Sequence, residues 1–295
     1  MKLLNVRVQD DAYELGVLTD EGVLMLTEVA KRFGASAPCT MQEVMEAGET
    51  GLASVRQLVS QALENGDVSL FENPEHIQYG PCVTSPEKII CVGTNYQAHA
   101  AESNLPTPTS PPLFSKFNNS LAGHGSTISI PPQTQQVDYE VELVIVIGQT
   151  AQNVSEEDAL SYVFGYATGN DLSARDLQFR TSQWLLGKTL DGFAPIGPYL
   201  VTADEVPNPN DLNLECRVNG QLRQSSNTKD MIFHCQYLIS YISRHMTLRP
   251  GDVIFTGTPE GVILGYPEGE RQWLASGDEI VTSVEGLGEL RVVLE

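Results

Sequence analysis

Over the first 30 positions apolar and polar residues alternate with period two around the polar turn Thr19-Asp20-Glu21-Gly22, which predicts short strands and a tight connection. The period then changes. Between residues 40 and 65, Val44, Met45, Leu52, Val55, Leu58, Val59 and Leu63 recur at helical spacing, with Gly48 and Gly51 marking a break. The polar residues 72–75 read as a boundary between a small N-terminal α/β domain, 1–75, and a larger domain, 76–295. Residues 88–92 predict a strand that turns through Gly93-Thr94-Asn95-Tyr96 into a short helix bearing His99 and Glu102. Pro106, Pro108, Pro111 and Pro112 prevent that helix from continuing and predict a loop over 103–112. Ser155-Glu156-Glu157-Asp158 has capping-box character ahead of Ala159, Leu160, Val163 and Phe164, and predicts a helix there. Another helix is expected from Asp230 to about His245, then a strand from Asp252 to Thr256. Most of the remainder reads as strands and glycine turns. The expected fold class is therefore mixed α+β with more strand than helix.

One apolar run carries charge where a core strand should carry none. In Glu140-Val141-Glu142-Leu143-Val144-Ile145-Val146-Ile147, period two projects Glu140 and Glu142 from one face, about 7 Å apart or less. Two such carboxylates repel each other and lose hydration, so a positive charge belongs between them. A hard divalent cation, Mg²⁺ or Mn²⁺, suits carboxylate oxygens, and Asp171, one predicted helix further on, is a third candidate ligand. The alternative is the solvent-facing polar side of an edge strand.

Composition narrows the partners. The 295 residues, 41% hydrophobic and 19% charged, suffice for a sizeable core. A formal net charge of -21 argues against nucleic acid or an anionic membrane surface, since both need basic patches. The same charge repels anions, so a site for an anionic substrate must rely on a metal or on a few local cations. Five scattered cysteines without Cys-x-x-Cys spacing suit a reducing cytosol, and no run approaches about 18 apolar residues. A cytoplasmic protein is expected. His76, His124, His234 and His245 lack the spacing of a zinc site, Gly123-His124-Gly125 reads as a turn, and neither a Gly-x-Ser-x-Gly elbow nor a phosphate-binding glycine loop occurs.

Several motifs, taken in order, narrow the class further. They are Ile90-Cys91-Val92-Gly93-Thr94-Asn95-Tyr96 with His99 and Glu102, Asp138-Tyr139-Glu140-Val141-Glu142-Leu143, Gly169-Asn170-Asp171 with Ala174-Arg175-Asp176, Gly187-Lys188, Pro195-Ile196-Gly197-Pro198, Val218-Asn219-Gly220, and Thr256-Gly257-Thr258-Pro259-Glu260-Gly261-Val262. Together they resemble the fumarylacetoacetate hydrolase family over roughly residues 80–290. Residues 1–75 resemble the small domain appended in many bacterial members. The resemblance implies a β-roll core, a homodimer, and Mg²⁺ or Mn²⁺ held by Glu140, Glu142 and Asp171. It places Lys188 beside the metal, makes His99 and Glu102 a catalytic pair, and gives the proline-rich segment the role of a lid. It also points to Thr258, Tyr96 and Lys116 as pocket residues, although Phe117-Asn118-Asn119-Ser120 departs from the family pattern after Lys116.

The residue chemistry agrees with these roles without proving them. His99 and Glu102, at i and i+3, share a helical face, so the carboxylate can orient an imidazole base; a surface pair without a role has the same spacing. Arg175 and Gln178 follow Asp171 at i+4 and i+7 and either hold a substrate carboxylate or, for Arg175, form a structural salt bridge. Thr258 either donates to substrate or simply occupies a β-turn. A divalent ion on the carboxylate and keto oxygen of a 2-oxo acid, with Lys188 adding fixed charge, favours a developing enolate. Such a site serves C–C hydrolysis of an acylpyruvate or another fumarylacetoacetate-type diketo acid, which is the leading expectation. Oxaloacetate decarboxylation, isomerisation of a 2-hydroxyhepta-2,4-diene-1,7-dioate, and a catalytically silent binding protein are the alternatives.

Overall fold

A computed structural model describes residues 1–9, 12–103 and 106–295. In chain order its elements begin with β1 (Lys2–Gln9), β2 (Ala12–Thr19), β3 (Gly22–Met25), α1 (Leu26–Phe33), α2 (Met41–Asn65) and β4 (Phe71–Glu72). There follow β5 (Ile89–Val92), α3 (Gln97–Glu102), β6 (Leu113–Lys116), β7 (Leu121–Ala122), β8 (Thr127–Ile128), β9 (Val137–Asp138), β10 (Val141–Ile147) and β11 (Val163–Asn170). The chain continues through β12 (Ser173–Ala174), α4 (Arg175–Gln178), α5 (Leu185–Lys188), β13 (Ala194–Thr202), β14 (Asn213–Val218), β15 (Gln221–Asn227), α6 (Cys235–His245), β16 (Val253–Phe255), β17 (Glu279–Val284) and β18 (Gly288–Leu294). Strand, at 33%, exceeds helix, at 27%, as the patterning predicts.

The large sheet runs β4-β3-β2-β1-β13-β11-β10-β16-β5-β6, with β7 beside β13; a second sheet runs β15-β14-β17-β18-β8. The N-terminal strands therefore extend the large sheet, joined where Lys2 faces Val201 and Leu3 faces Leu200. Strand β10 lies in its interior, between β11 and β16, and all seven of its residues are buried. Val144 and Val146 enter the core shared with the N-terminal helices, while Leu143, Ile145 and Ile147 enter the other core. Burial on both faces explains the continuous apolar run, and it rules out the solvent-facing edge strand considered from sequence. Glu142 falls on the Val144 and Val146 face, at the end of the strand.

Three local expectations need correction. No α-helix forms over residues 159–164: a single 3₁₀ turn spans Ala159–Tyr162, and Val163 already belongs to β11. Ser155 Oγ does accept from the Asp158 amide at 3.2 Å, but Val163 and Phe164 are better used in pairing, with Val163 opposite Ile147. Asp171 is thus returned to Glu140 by an antiparallel strand pair rather than by a strand-helix-strand unit. In α2, Thr40 and Glu43 form a capping box and Gly48 breaks the helix at φ 57°, but Gly51 does not interrupt it. The helix expected from Asp230 starts at Cys235, because Met231 bridges to Tyr96 and the segment is held extended by Asn95. Of the lid segment, Asn104 and Leu105 lie outside the described residues.

Candidate active site

The end of β11 returns beside the start of β10, and two backbone contacts lock that junction. Asn170 Oδ1 accepts from the Glu140 amide at 3.0 Å, and the Asp171 amide donates to the Glu140 carbonyl at 2.9 Å. The junction brings one carboxylate oxygen each of Glu140, Glu142 and Asp171 within 4.8 Å of one another, all three residues being buried. Lys188 arrives from α5. Its neighbour Gly187 lets α5 lie against α4, since a Cβ there would collide with the Gln178 amide and the Ala174 carbonyl. Lys188 Nζ donates at 2.7 Å to both Glu140 Oε2 and Asp171 Oδ2.

Arg175, on α4, spends its donors on the scaffold. Nη2 donates to Glu140 Oε1 at 2.6 Å, Nε to Asp138 Oδ2 at 2.9 Å, and Nη1 to Gln178 Oε1 at 2.9 Å. Asp138 in turn accepts from the Ile263 and Leu264 amides at 2.8 and 3.0 Å, tying the C-terminal loop to the site. Lys116 stands behind the cluster, with Nζ 2.6 Å from Asp171 Oδ1 and bonded to the carbonyls of Leu172, Phe193 and Lys188. The Asp171 contact is an ion pair outside hydrogen-bond geometry, which leaves Oδ1 without a hydrogen bond among the described residues.

Four formal carboxylates, Asp138, Glu140, Glu142 and Asp171, thus meet three cations, Lys116, Arg175 and Lys188. The imbalance falls on Glu142. Burial opposes ionisation of Glu140, but Lys188 and Arg175 hold its carboxyl well below the usual carboxylate range. Burial and the charges of Asp171 and Glu140 push Glu142 well above it, and the amide of Gly257, at 2.7 Å, is its donor. Gly257 has φ 100°, and a Cβ there would lie 2.6 Å from Asn95 Cβ, so this donor requires glycine. A buried, undercompensated carboxylate beside two others is a donor set that fits a hard divalent cation.

His99 and Glu102 face the same cavity, of about 280 Å³. His99 is buried, with Nδ1 2.8 Å from Glu102 Oε1, while Glu102 Oε2 accepts from the Gly261 amide at 2.9 Å. With a carboxylate oxygen as acceptor, Nδ1 is the ring nitrogen that carries the proton, so in the neutral imidazole the lone pair lies on Nε2. Gly265 makes room for Glu102: a Cβ there would sit 2.5 Å from Oε2 and 2.6 Å from Cδ, and the backbone is not in the left-handed region. Gly265→Ala is therefore expected to leave the melting temperature within a few degrees while lowering kcat about tenfold, by turning Glu102 away from His99. Unchanged kcat in that variant would show that the pair's alignment is irrelevant.

Of the residues singled out from sequence, His99, Glu102, Glu140, Glu142, Arg175, Gln178, Lys188 and Thr258 line this cavity, whereas Tyr96, Lys116 and Asp171 lie behind its surface. Thr258 Oγ1 donates to the Val141 carbonyl at 2.9 Å and accepts from Gln224 Nε2 at 2.9 Å, so its hydroxyl braces the start of β10. Tyr96 is buried with a hydroxyl that lacks a partner among the described residues. Sequence reasoning gave no role to Asp138, Gln224, Phe114, Trp184 or Arg271. Asp138 belongs to the Asp138-Tyr139-Glu140-Val141-Glu142-Leu143 motif, but its use depends on Arg175. Trp184 packs on Gly93 and edge-on to Phe114, whose ring lies 5.0 Å from Lys188 Nζ.

The fold and the site together define an enzyme centre in which a carboxylate cluster suited to a divalent cation faces a histidine–carboxylate pair. The chain belongs to the fumarylacetoacetate hydrolase family: residues 88–295 match the family model described as Fumarylacetoacetate (FAA) hydrolase C-terminal. It is 43% identical over 260 residues to a mitochondrial oxaloacetate tautomerase, fahd2, of Xenopus laevis, covering 88% of this chain and 79% of that protein. The fumarylacetoacetate hydrolase of psychrophilic Exiguobacterium antarcticum superposes with a TM-score of 0.83 at 35% identity, covering 100% and 99% of the two chains. A fumarylpyruvate hydrolase from Pseudomonas aeruginosa in complex with Mn²⁺ and pyruvate matches at TM-score 0.66 and 36% identity, over 74% of this chain and 91% of that one. Among the described residues no helix is long and apolar enough to cross a membrane.

Proposed function

We propose that this chain catalyses proton transfer at the carbon beside the keto group of a 2-oxo acid, with oxaloacetate as the first substrate, and that it works as a homodimer. The observation that carries the reading is the His99–Glu102 pair on the same cavity as the three carboxylates, with Nδ1 fixed at 2.8 Å and Nε2 left to act as base. Glu140, Glu142 and Asp171 would hold Mg²⁺ or Mn²⁺. A divalent cation bound there supplies Lewis acidity for the keto oxygen. His99 Nε2 takes the proton as the C–H bond breaks and the electron pair moves onto the keto oxygen; that oxygen takes a proton from water to give the enol, and His99 returns its proton to solvent. Lys188, at 2.7 Å from two of the carboxylates, adds fixed positive charge beside that oxygen. Phe114 and Trp184 keep the pocket wall apolar, which strengthens these interactions. Similarity to the oxaloacetate tautomerase of Xenopus laevis supports the substrate.

A second reading, C–C hydrolysis of an acylpyruvate, uses the same base on water and is supported by the likeness to the Pseudomonas aeruginosa fumarylpyruvate hydrolase. The two separate in a side-by-side assay of the purified protein on oxaloacetate and acetylpyruvate, following enol absorbance, acid release and CO₂. Enol interconversion of oxaloacetate is expected, lost in EDTA and restored by Mg²⁺ or Mn²⁺. The metal should also stabilise the fold, by about 2.7 kcal/mol at a hundredfold excess over Kd. Full turnover in EDTA would end the metal-centred reading, and acid release from acetylpyruvate without enol interconversion would move the assignment to the hydrolase.

A further inference from the structure

The cations of the cavity are unequally committed. Arg175 is taken up by Asp138, Glu140 and Gln178, and Lys188 by Glu140 and Asp171. Arg271 lines the same cavity from the loop that follows Gly265. It donates Nε to the Tyr266 carbonyl at 2.9 Å, and no carboxylate among the described residues comes within 4.0 Å of its guanidinium. The carboxylates that line the cavity are held by other donors: Glu102 by His99 and the Gly261 amide, Glu140 by Arg175 and Lys188, and Glu142 by the Gly257 amide. Ser103 Oγ, buried and unpartnered among the described residues, also lines it. A guanidinium without a protein carboxylate, in a chain of net charge -21, is an anion reader placed where most of the surface repels anions.

We infer that Arg271 is the specificity-determining residue that binds the second, distal carboxylate of a dicarboxylic 2-oxo acid. This rests on the reading that the carboxylate cluster takes the 2-oxo acid end of the substrate. With Nε anchored on Tyr266, the two Nη groups present parallel N–H donors that match a carboxylate. A pocket built to pair a substrate charge discriminates against an analogue that lacks it, because the protein group is then left unpaired. The chain therefore selects dicarboxylates over pyruvate-like monocarboxylates.

The test uses the full chain with Mg²⁺ present and measures binding by calorimetry of 3,3-difluorooxaloacetate, a dicarboxylate that cannot enolise, and of pyruvate. Arg271→Gln is expected to weaken difluorooxaloacetate about 10- to 100-fold and to leave pyruvate within about twofold, with Arg271→Lys recovering part of the loss. In turnover of oxaloacetate the same variant should raise KM by a similar factor while kcat stays within about threefold. Equal weakening of both ligands, or none of either, overturns the role of Arg271 while pyruvate binding by the native protein leaves the 2-oxo acid reading standing. Failure of the native protein to bind either ligand overturns that reading and the inference together.

Discussion

Glu140→Gln is expected to lower kcat by about 10³-fold or more, and to leave a folded protein. The loss follows from position: Glu140 shares the cluster with Glu142 and Asp171, with one oxygen of each within 4.8 Å. Removing its charge weakens the divalent centre, and each 1.36 kcal/mol of lost transition-state stabilisation is a factor of ten, so about 4 kcal/mol suffices. The fold is harder to judge, because Glu140 also accepts from Arg175 at 2.6 Å and Lys188 at 2.7 Å. A glutamine keeps one acceptor and turns an N–H₂ toward a cation, and breaking a buried pair costs about 3–5 kcal/mol when nothing compensates. Here neither cation is left alone: Arg175 keeps Asp138 and Gln178, and Lys188 keeps Asp171. The net destabilisation should then be about 1–3 kcal/mol, a shift of several degrees in melting temperature rather than unfolding. Steady-state kinetics, metal titration and a thermal melt on the same preparation check all three parts; full turnover in the variant would sink the metal-centred mechanism.

What the sequence disclosed and what it concealed follow from the range of the interactions involved. Two charges at the head of the apolar run that becomes β10, Glu140 just before the strand and Glu142 within it, were legible because strand periodicity alone puts them on one face. The cations that compensate them were only half legible. Lys188 was placed by its motif, but the commitment of Arg175 to Asp138 and Glu140 depends on how α4 meets the start of β10. The route back to Asp171 was misread because Val163 and Phe164 satisfy a helix face and a strand equally, and the partner strand decides. Lys116 was expected in the pocket, and the unusual residues after it left the pocket's shape open. The structure sets Lys116 behind Asp171, and Lys116, Phe117 and Asn118 line a neighbouring cavity that shares Phe114 and Trp184 with the site. Gln224 and Gly265 were invisible because each matters through a neighbour remote in sequence, Gln224 by accepting from the Val141 amide at 3.0 Å and Gly265 by making room for Glu102. Arg271 was invisible because only the fold brings its loop to the cavity.

His99→Ala is expected to cost about 10²- to 10⁴-fold in enol interconversion of oxaloacetate, the usual range for a positioned general base. The variant should fold normally, because the imidazole's hydrogen bond among the described residues is to Glu102, and Glu102 keeps the Gly261 amide. Decarboxylation behaves differently. Loss of CO₂ from oxaloacetate breaks a C–C bond whose electrons move toward the keto oxygen, and no proton needs to be taken from carbon, so it should survive to within about tenfold. Hydrolysis of an acylpyruvate needs an activated water and should fall with the enol reaction. Measuring the three rates in one variant, at one metal concentration, thus reads the role of the base rather than the integrity of the site. If all three fall together, His99 is acting on the carboxylate cluster or on the pocket's shape, and the base must be sought elsewhere. If none falls, Nε2 does not face the reacting carbon, and the proton must leave by way of another group lining the cavity.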